Sequence, residues 1–286
     1  MAALDLLNGP GGKEHQPTGN FKFIDEDRKG TSPKFNVEDE QGVRWRVKLG
    51  QEVKSETAAT RLVWAAGYYT DENYYLPQIH VDGLPKLSRG NQFVMANGMV
   101  RDVRLKRKPK GQKKDGDWSW FDNPFMGTKE FNGLRIMMAM INNWDLAKDN
   151  NSIYQEKDGE ARYLVSDLGA SFGKTGNSLT RSKSDMSKYE SSDFVQNEKD
   201  GYVDFHLTSR PFIVSIVNVP NYHNRTHMQE VAKKIPVADA KWLGQILGQL
   251  TPQQIEDCFR AAGYDSVEVA GFTGMVKERI AELNKL

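Results

Sequence analysis

The 286-residue chain contains a single cysteine, Cys258. An internal disulfide is therefore excluded, and the thiol reads as a structural one on a helix. Long apolar runs are also missing: no stretch approaches the eighteen or more residues of a membrane span, and Met1 to Pro10 has no charged and hydrophobic leader pattern. These absences point to a soluble chain, cytoplasmic by default, and leave open an exported form whose leader has been removed. Nor is there an excess of one charge, since 39 basic and 38 acidic residues give a formal net charge of +1. Nucleic-acid-binding domains are usually strongly basic, so nucleic acid is not an expected partner. What remains is an ordinary globular composition, 38% hydrophobic and 27% charged, without internal repeats and long enough for one large domain or two lobes.

Residues 1–20, with Gly9-Pro10-Gly11-Gly12, read as an irregular N-terminal arm. A β-rich stretch follows from 21 to 112. Phe21–Ile24, Lys34–Val37, Tyr74–Val81 and Met99–Leu105 carry β-forming residues. Val43–Leu49 alternates, placing Val43, Trp45, Val47 and Leu49 on one face and Lys48 on the other. Ser55 is the expected N-cap of a helix from Glu56 to about Ala66, with Gly67 as its stop. The basic run Arg104–Lys114 ends this region as a solvated hairpin or hinge.

From 113 to 286 the pattern is mostly helical. A helix from Thr128 through Met140 is expected to bury Leu134, Met137, Met138 and Ile141, and another covers Ala238–Leu250. A third is capped by Thr251 with Pro252 at its first position, and the last runs from Gly271 or Phe272 to the end. The serine- and lysine-rich stretch 174–202 reads as mobile. Trp118 and Trp120 are expected to pack, and His206, His223 and His227 have no metal-ligand spacing.

Two constellations carry chemistry. In the first, Asn142-Asn143-Trp144-Asp145 through Asn150 reads as a loop, because asparagine and aspartate favour turns and caps. Short strands at Ser152–Gln155 and Arg162–Val165 follow, joined by a turn at Asp158-Gly159. A hairpin brings its ends together, so Asn150 at its entry and Asp167 at its exit become neighbours. Magnesium prefers hard oxygen ligands and takes few protein carboxylates, so Asn150 and Asp167 are the candidate metal ligands. Asp145, at the head of the loop, is the candidate catalytic carboxylate that orients an acceptor hydroxyl and takes its proton.

In the second constellation, Lys48 reaches phosphate groups from its strand and a glutamate on the following helix holds it. Glu56 fits that role, with Glu52 as the rival. The turn Gly30-Thr31-Ser32-Pro33-Lys34 has backbone N–H groups placed to cover phosphates, although it lacks the multiple glycines of a Walker A or protein-kinase loop.

Taken in order, these parts resemble the protein-kinase-like superfamily, and more narrowly its HipA-like and phosphatidylinositol 3-/4-kinase-like branch. The likeness rests on Gly30–Phe35 with Gly42–Lys48, on Ser55-Glu56 with Leu62, Ala65-Ala66-Gly67 and Leu76-Pro77, on Asn143-Trp144-Asp145 to Asn150, and on Asp167-Leu168-Gly169. It implies an α+β, two-lobed protein-kinase-like fold, with a small β-rich N-lobe carrying one key helix (21–112) and a larger, mostly helical C-lobe (113–286). It further implies ATP and magnesium in the cleft, and phosphoryl transfer to a hydroxyl of an unidentified protein, lipid or small-molecule acceptor. Leu146 and Ala147 stand where the branch often has Arg-His, and Lys148 is the candidate for the loop's positive charge. That departure sustains an alternative, a pseudokinase or nucleotide-binding scaffold. Nucleic-acid binding through Arg104–Lys114 is a third class.

Overall fold

A computed structural model describes residues 3–111, 113–156, 159–174, 182–207 and 227–286. Asp158 of the expected turn, His223, part of the serine-rich stretch and position 112 at the expected lobe boundary lie outside them. Five strands form a closed barrel in the order β1 (Phe21–Asp27), β2 (Lys34–Asp39), β3 (Arg44–Leu49), β5 (Met99–Lys108) and β4 (Asn73–Asp82). All pairings are antiparallel except β1 with β4, which closes the barrel in parallel. The alternation read from β3 places Trp45, Val47 and Leu49 in the barrel core with Phe21, Phe35, Val37, Val103 and Leu105. Lys48 points outward yet is also buried, because the helix after β3 closes over that face.

That helix, α1 (Glu52–Ala65), starts four residues before the expected Glu56. Ser55 is not its N-cap. The chain turns at Gly50, with φ 98°, and the Ser55 hydroxyl instead donates to the Gly169 carbonyl at 2.7 Å. A tertiary partner thus claimed the side chain that local propensity had assigned to a cap.

Beyond the barrel, β6 (Lys113–Gly116), β7 (Asn151–Gln155) and β8 (Ala161–Val165) form a second sheet, and β9 (Val195–Lys199), β10 (Tyr202–Phe205) and β11 (Ile235–Pro236) a third. Helix α2 (Lys129–Met140) begins as expected at Thr128, whose side chain accepts from Phe131 N. Helices α3 (Met186–Glu190), α4 (Val237–Leu247), α5 (Pro252–Arg260) and α6 (Ser266–Lys285) complete the fold. Thr251 and Gln254 form a reciprocal capping box at the start of α5. Asp265 and Glu268 form another, which starts α6 five residues before the expected Gly271. Gly271 lies inside that helix, where an added Cβ would meet Met186 Sδ at 2.3 Å. Close packing explains this glycine better than a helix boundary does.

Ala58, Ala59, Leu62 and Val63 of α1 join a core with Met137, Met138, Phe172, Leu243, Phe259 and Phe272, and Trp118 and Trp120 pack into it. The N-terminal arm is irregular but docked: Leu6 is buried in this core, and Tyr74 Oη donates to Gly12 O at 2.9 Å. The described part of 174–202 is likewise anchored, correcting the expectation of a mobile stretch. Tyr189 and Phe194 are buried, and the Tyr189 hydroxyl bonds the Met140 carbonyl. The basic run crosses from β5 into β6, and several of its cations are paired with carboxylates. Arg104 pairs with Glu56 at 2.6 Å, Lys106 with Asp71 at 2.6 Å and Arg107 with Glu72 at 3.4 Å. Arg104 is only 2% exposed, so the solvated reading fails there. Among the described residues, no helix is long and apolar enough to cross a membrane.

Candidate active site

Just beyond the end of α2 stands Asn142, whose φ of 52° is a left-handed conformation that asparagine tolerates. Asn143 follows, fully buried, and its Oδ1 accepts from Asp145 N at 3.1 Å. The loop is pinned from below by Trp144 and Leu146, which are 2% and 3% exposed. Leu146 therefore occupies its position as a core anchor. Lys148–Asn150 then make one 3₁₀ turn, and Asn150 Nδ2 closes the loop by donating to the Asp145 carbonyl at 2.8 Å.

The hairpin of β7 and β8 forms with Asn151 opposite Val165. At its open end Ser166 N donates to Asn150 O at 2.8 Å. The two halves of the first constellation are thus joined by a backbone hydrogen bond. Asp167 follows at once. One carboxylate oxygen accepts from Gly169 N at 3.3 Å and lies 3.2 Å from Lys48 Nζ. Gly169 is required by close approach, since a Cβ there would lie 2.8 Å from Glu52 Cβ.

Lys48 is the hub of the second constellation. Its ammonium lies 2.7 Å from Glu56, 3.0 Å from Glu52 and 3.2 Å from Asp167. Both glutamates thus bind it, so the rivalry between them was a false choice. Behind them Arg104 neutralises the other oxygen of Glu56, and in front Lys183 and the Ser32 hydroxyl engage Glu52. Burial alone would strip the charge from Lys48, but Glu56 and Asp167 outweigh it and hold the pKa well above the ordinary lysine value. Burial would raise the Glu52 carboxyl, yet Lys48 and Lys183 bring it down to about 2. Asp167 follows the same balance, with burial opposed by Lys48, and ends below its usual range.

A cleft of about 480 Å³ opens over this cluster. Gly30, Thr31, Ser32 and Lys34 form its roof and Asp145, Asn150 and Asp167 its floor, while Lys48 lies between them. Glu56 sits behind Lys48 at 1% exposure, and Lys148 is exposed and outside the cleft lining. Two charged groups in the cluster had no part in the site as read from the sequence. Arg104 lies directly across from Lys48 in the β3–β5 register, a signal hidden inside a run of basic residues. Lys183 also lines the cleft, with its ammonium 5.2 Å from the Trp144 ring centroid, and no motif marks it.

The donor set suits a hard divalent cation. The side-chain carbonyl of Asn150 is left over after its amide is used, and Asp167 keeps a second carboxylate oxygen beyond the one facing Lys48. Oxygens of Glu52, Glu56 and Asp167 also lie within 4.8 Å of one another, although the Lys48 ammonium serves as their shared cation.

Among solved structures, the chain is similar to the Helicobacter pylori proinflammatory kinase CtkA, with a TM-score of 0.53 and 10% identity over 94% of this chain and 97% of that one. It is also similar to the Golgi casein kinase with Mn/ADP bound, with a TM-score of 0.48 and 9% identity over 94% of this chain and 72% of that one. No protein-family model and no curated protein matches the sequence. The likeness to CtkA shows the fold: an α+β, two-lobed protein-kinase-like arrangement, β-rich at the N-terminal end and mostly helical beyond.

Proposed function

We propose that this chain is an ATP- and magnesium-dependent phosphotransferase of the HipA-like and phosphatidylinositol 3-/4-kinase-like branch, acting on a hydroxyl of a protein, lipid or small-molecule acceptor. The observation that carries this reading is the Lys48 ammonium held by Glu56 at 2.7 Å and Asp167 at 3.2 Å at the base of a cleft. A lysine paired in this way is locked in its charged form and positioned for phosphate oxygens. In this reading the small lobe covers 21–112 and the large lobe 113–286, and ATP lies in the cleft between them.

Asn150 and Asp167 would hold magnesium, which would neutralise charge on the phosphates. Lys48 binds the phosphates, and Glu56 and Glu52 keep it in place. Gly30, Thr31, Ser32 and Lys34 cover the nucleotide. Asp145 orients the acceptor hydroxyl and accepts its proton as the oxygen attacks the terminal phosphorus and the diphosphate leaves. Lys148, outside the cleft lining, supplies at most long-range charge to the loop.

A second reading, a nucleotide-binding scaffold without transfer, is favoured by one observation. Leu146 and Ala147 bring no cation or imidazole to the loop, and Leu146 is committed to the core. The test is magnesium-dependent ATP turnover. Wild type is expected to hydrolyse or transfer phosphate, and Asp167→Ala to lose about 100-fold or more. Stabilisation by ATP without turnover on any acceptor would select the scaffold instead. If wild type and Asp167→Ala bind nucleotide identically and neither turns over, the site is not a phosphotransferase site.

A further inference from the structure

The loop that roofs the cleft contains one glycine, Gly30, where a phosphate-covering loop commonly has several. A second segment fixes it from behind. Arg89 Nη1 donates to the carbonyls of Gly30 at 2.7 Å and Thr31 at 3.0 Å, and its Nη2 donates to that of Arg28 at 3.1 Å. The neighbours of Arg89 hold it in place. Ser88 donates from its backbone and hydroxyl to Glu26 at 2.8 and 2.6 Å, and Asn91 bonds both backbone groups of Leu87. Gly90, with φ 83°, lies so near the loop that an added Cβ would meet Pro33 Cβ at 2.8 Å. Residues 87–91 therefore form a strap across the outer side of the β1–β2 turn.

The strap determines where the loop's donors point. In a planar trans peptide the C=O and the following N–H point in opposite directions. With the carbonyls of Gly30 and Thr31 turned towards Arg89, the N–H groups of Thr31 and Ser32 point away from it. Among the described residues neither N–H has a hydrogen-bond partner. Lys34 Nζ lies beside them, 3.7 Å from where a Cβ on Gly30 would sit; Asp27 and Asp167 attract it, but among the described residues no carboxylate lies within ion-pair distance, and Asp27 is paired with Arg46 at 3.1 Å. Two free amides and an ammonium without a direct ion-pair contact, at one lip of the cleft, make an anion-binding concavity. The guanidinium behind the two peptide groups polarises them further.

We propose that Thr31 N–H, Ser32 N–H and the Lys34 ammonium form a preformed phosphate subsite, and that Arg89 is its positioning residue, doing by hydrogen bonding what extra glycines do by flexibility. The proposal rests on the nucleotide reading of the cleft but is separable from it. Calorimetry with ATP, adenosine and inorganic tripolyphosphate, each with magnesium, tests it on wild type, Arg89→Ala, Arg89→Lys and Lys34→Gln. Arg89→Ala and Lys34→Gln are each expected to weaken ATP and tripolyphosphate by about tenfold or more while leaving adenosine within about twofold. Arg89→Lys should recover part of the loss, and in turnover the change should fall on KM more than on kcat. Wild-type affinity for ATP retained in both Arg89→Ala and Lys34→Gln would overturn the proposal alone. A wild type that binds tripolyphosphate but not ATP would keep the subsite and remove the nucleotide reading, and one that binds neither would remove both.

Discussion

Lys48 and Arg279 are both cations buried to 5% exposure or less, and they are neutralised in opposite ways. Lys48, on β3, is surrounded by two carboxylates of α1 and one just after β8, all of them at the cleft. Arg279 on α6 has no carboxylate partner among the described residues. Its guanidinium donates to the carbonyls of Met140 at 2.7 Å and Ala139 at 3.3 Å, and to the carbonyl and hydroxyl of Ser192 at 3.0 and 2.7 Å, while its carbon stacks 4.0 Å from the Tyr189 ring centroid. Those carbonyls belong to the last turn of α2 and the segment after α3, groups that a helix end leaves without partners. Arg279 thus caps the helix that leads into the Asn142–Asn150 loop. The lesson is that carboxylate partners can be exchanged for phosphate oxygens, whereas backbone carbonyls are fixed in place. The first arrangement suits a ligand site and the second a structural clamp.

The comparison is broken most directly at Lys48. Lys48→Met should reduce phosphoryl transfer by about a thousandfold, roughly 4 kcal/mol of transition-state stabilisation. Its effect on melting should stay modest, because Glu56 keeps Arg104 and Glu52 keeps Lys183. If Lys48→Met lowers the melting temperature more than it lowers activity, the lysine is a structural cation like Arg279. Arg279→Met is the reverse case. It leaves several buried carbonyls unpaired at a cost of about 3 kcal/mol or more, and thermal melting should show the larger drop. Equal melting of Arg279→Met and wild type would remove the clamp.

The smallest effect lies in pH. The Glu52 carboxyl is held at about 2 in the folded chain, below its ordinary value of 4.5. Folding therefore favours the ionised form. Its contribution is fully present above about 4.5 and is lost as pH falls towards 2. Urea midpoints of wild type and Glu52→Gln should converge as pH drops from 6 to about 3. Arginine does not titrate in this range, so Arg279→Met should keep a constant offset. A Glu52→Gln difference that does not shrink with acid would show that the carboxylate charge is not what stabilises.

Local chemistry made much of the site legible. The alternation of Val43–Leu49 separates Lys48 from its core-facing neighbours whatever the fold, because successive strand residues point to opposite faces. The turn-forming asparagines around Asp145 and the hairpin before Asp167 likewise act over a few residues, and their ends do meet. The two helix starts show where this reading stops. Thr251 caps as expected because Pro252 and Gln254 are its near neighbours, whereas Ser55 is diverted by the carbonyl of Gly169, distant in sequence. Arg104 was misread for a related reason: in a run of basic residues nothing marks the one side chain that will be buried. Leu146 read from sequence as the absence of a charge, and its burial shows that the position packs into the core.

By itself, the sequence determined the alternating faces of the Val43–Leu49 strand, the helix of Thr128–Met140, and the order of the lysine strand, glutamate helix, Asp145 loop and Asp167 strand end. Each is set by backbone periodicity or by turn and cap chemistry within a few residues. Tertiary structure alone decided that Glu52 joins Glu56 on Lys48, that Lys183 and Arg104 complete the cluster, and that Arg89 holds the β1–β2 loop from behind. Those contacts connect segments remote along the chain, and an ion pair or a carbonyl clamp depends on distance in space, which no local pattern of residues encodes.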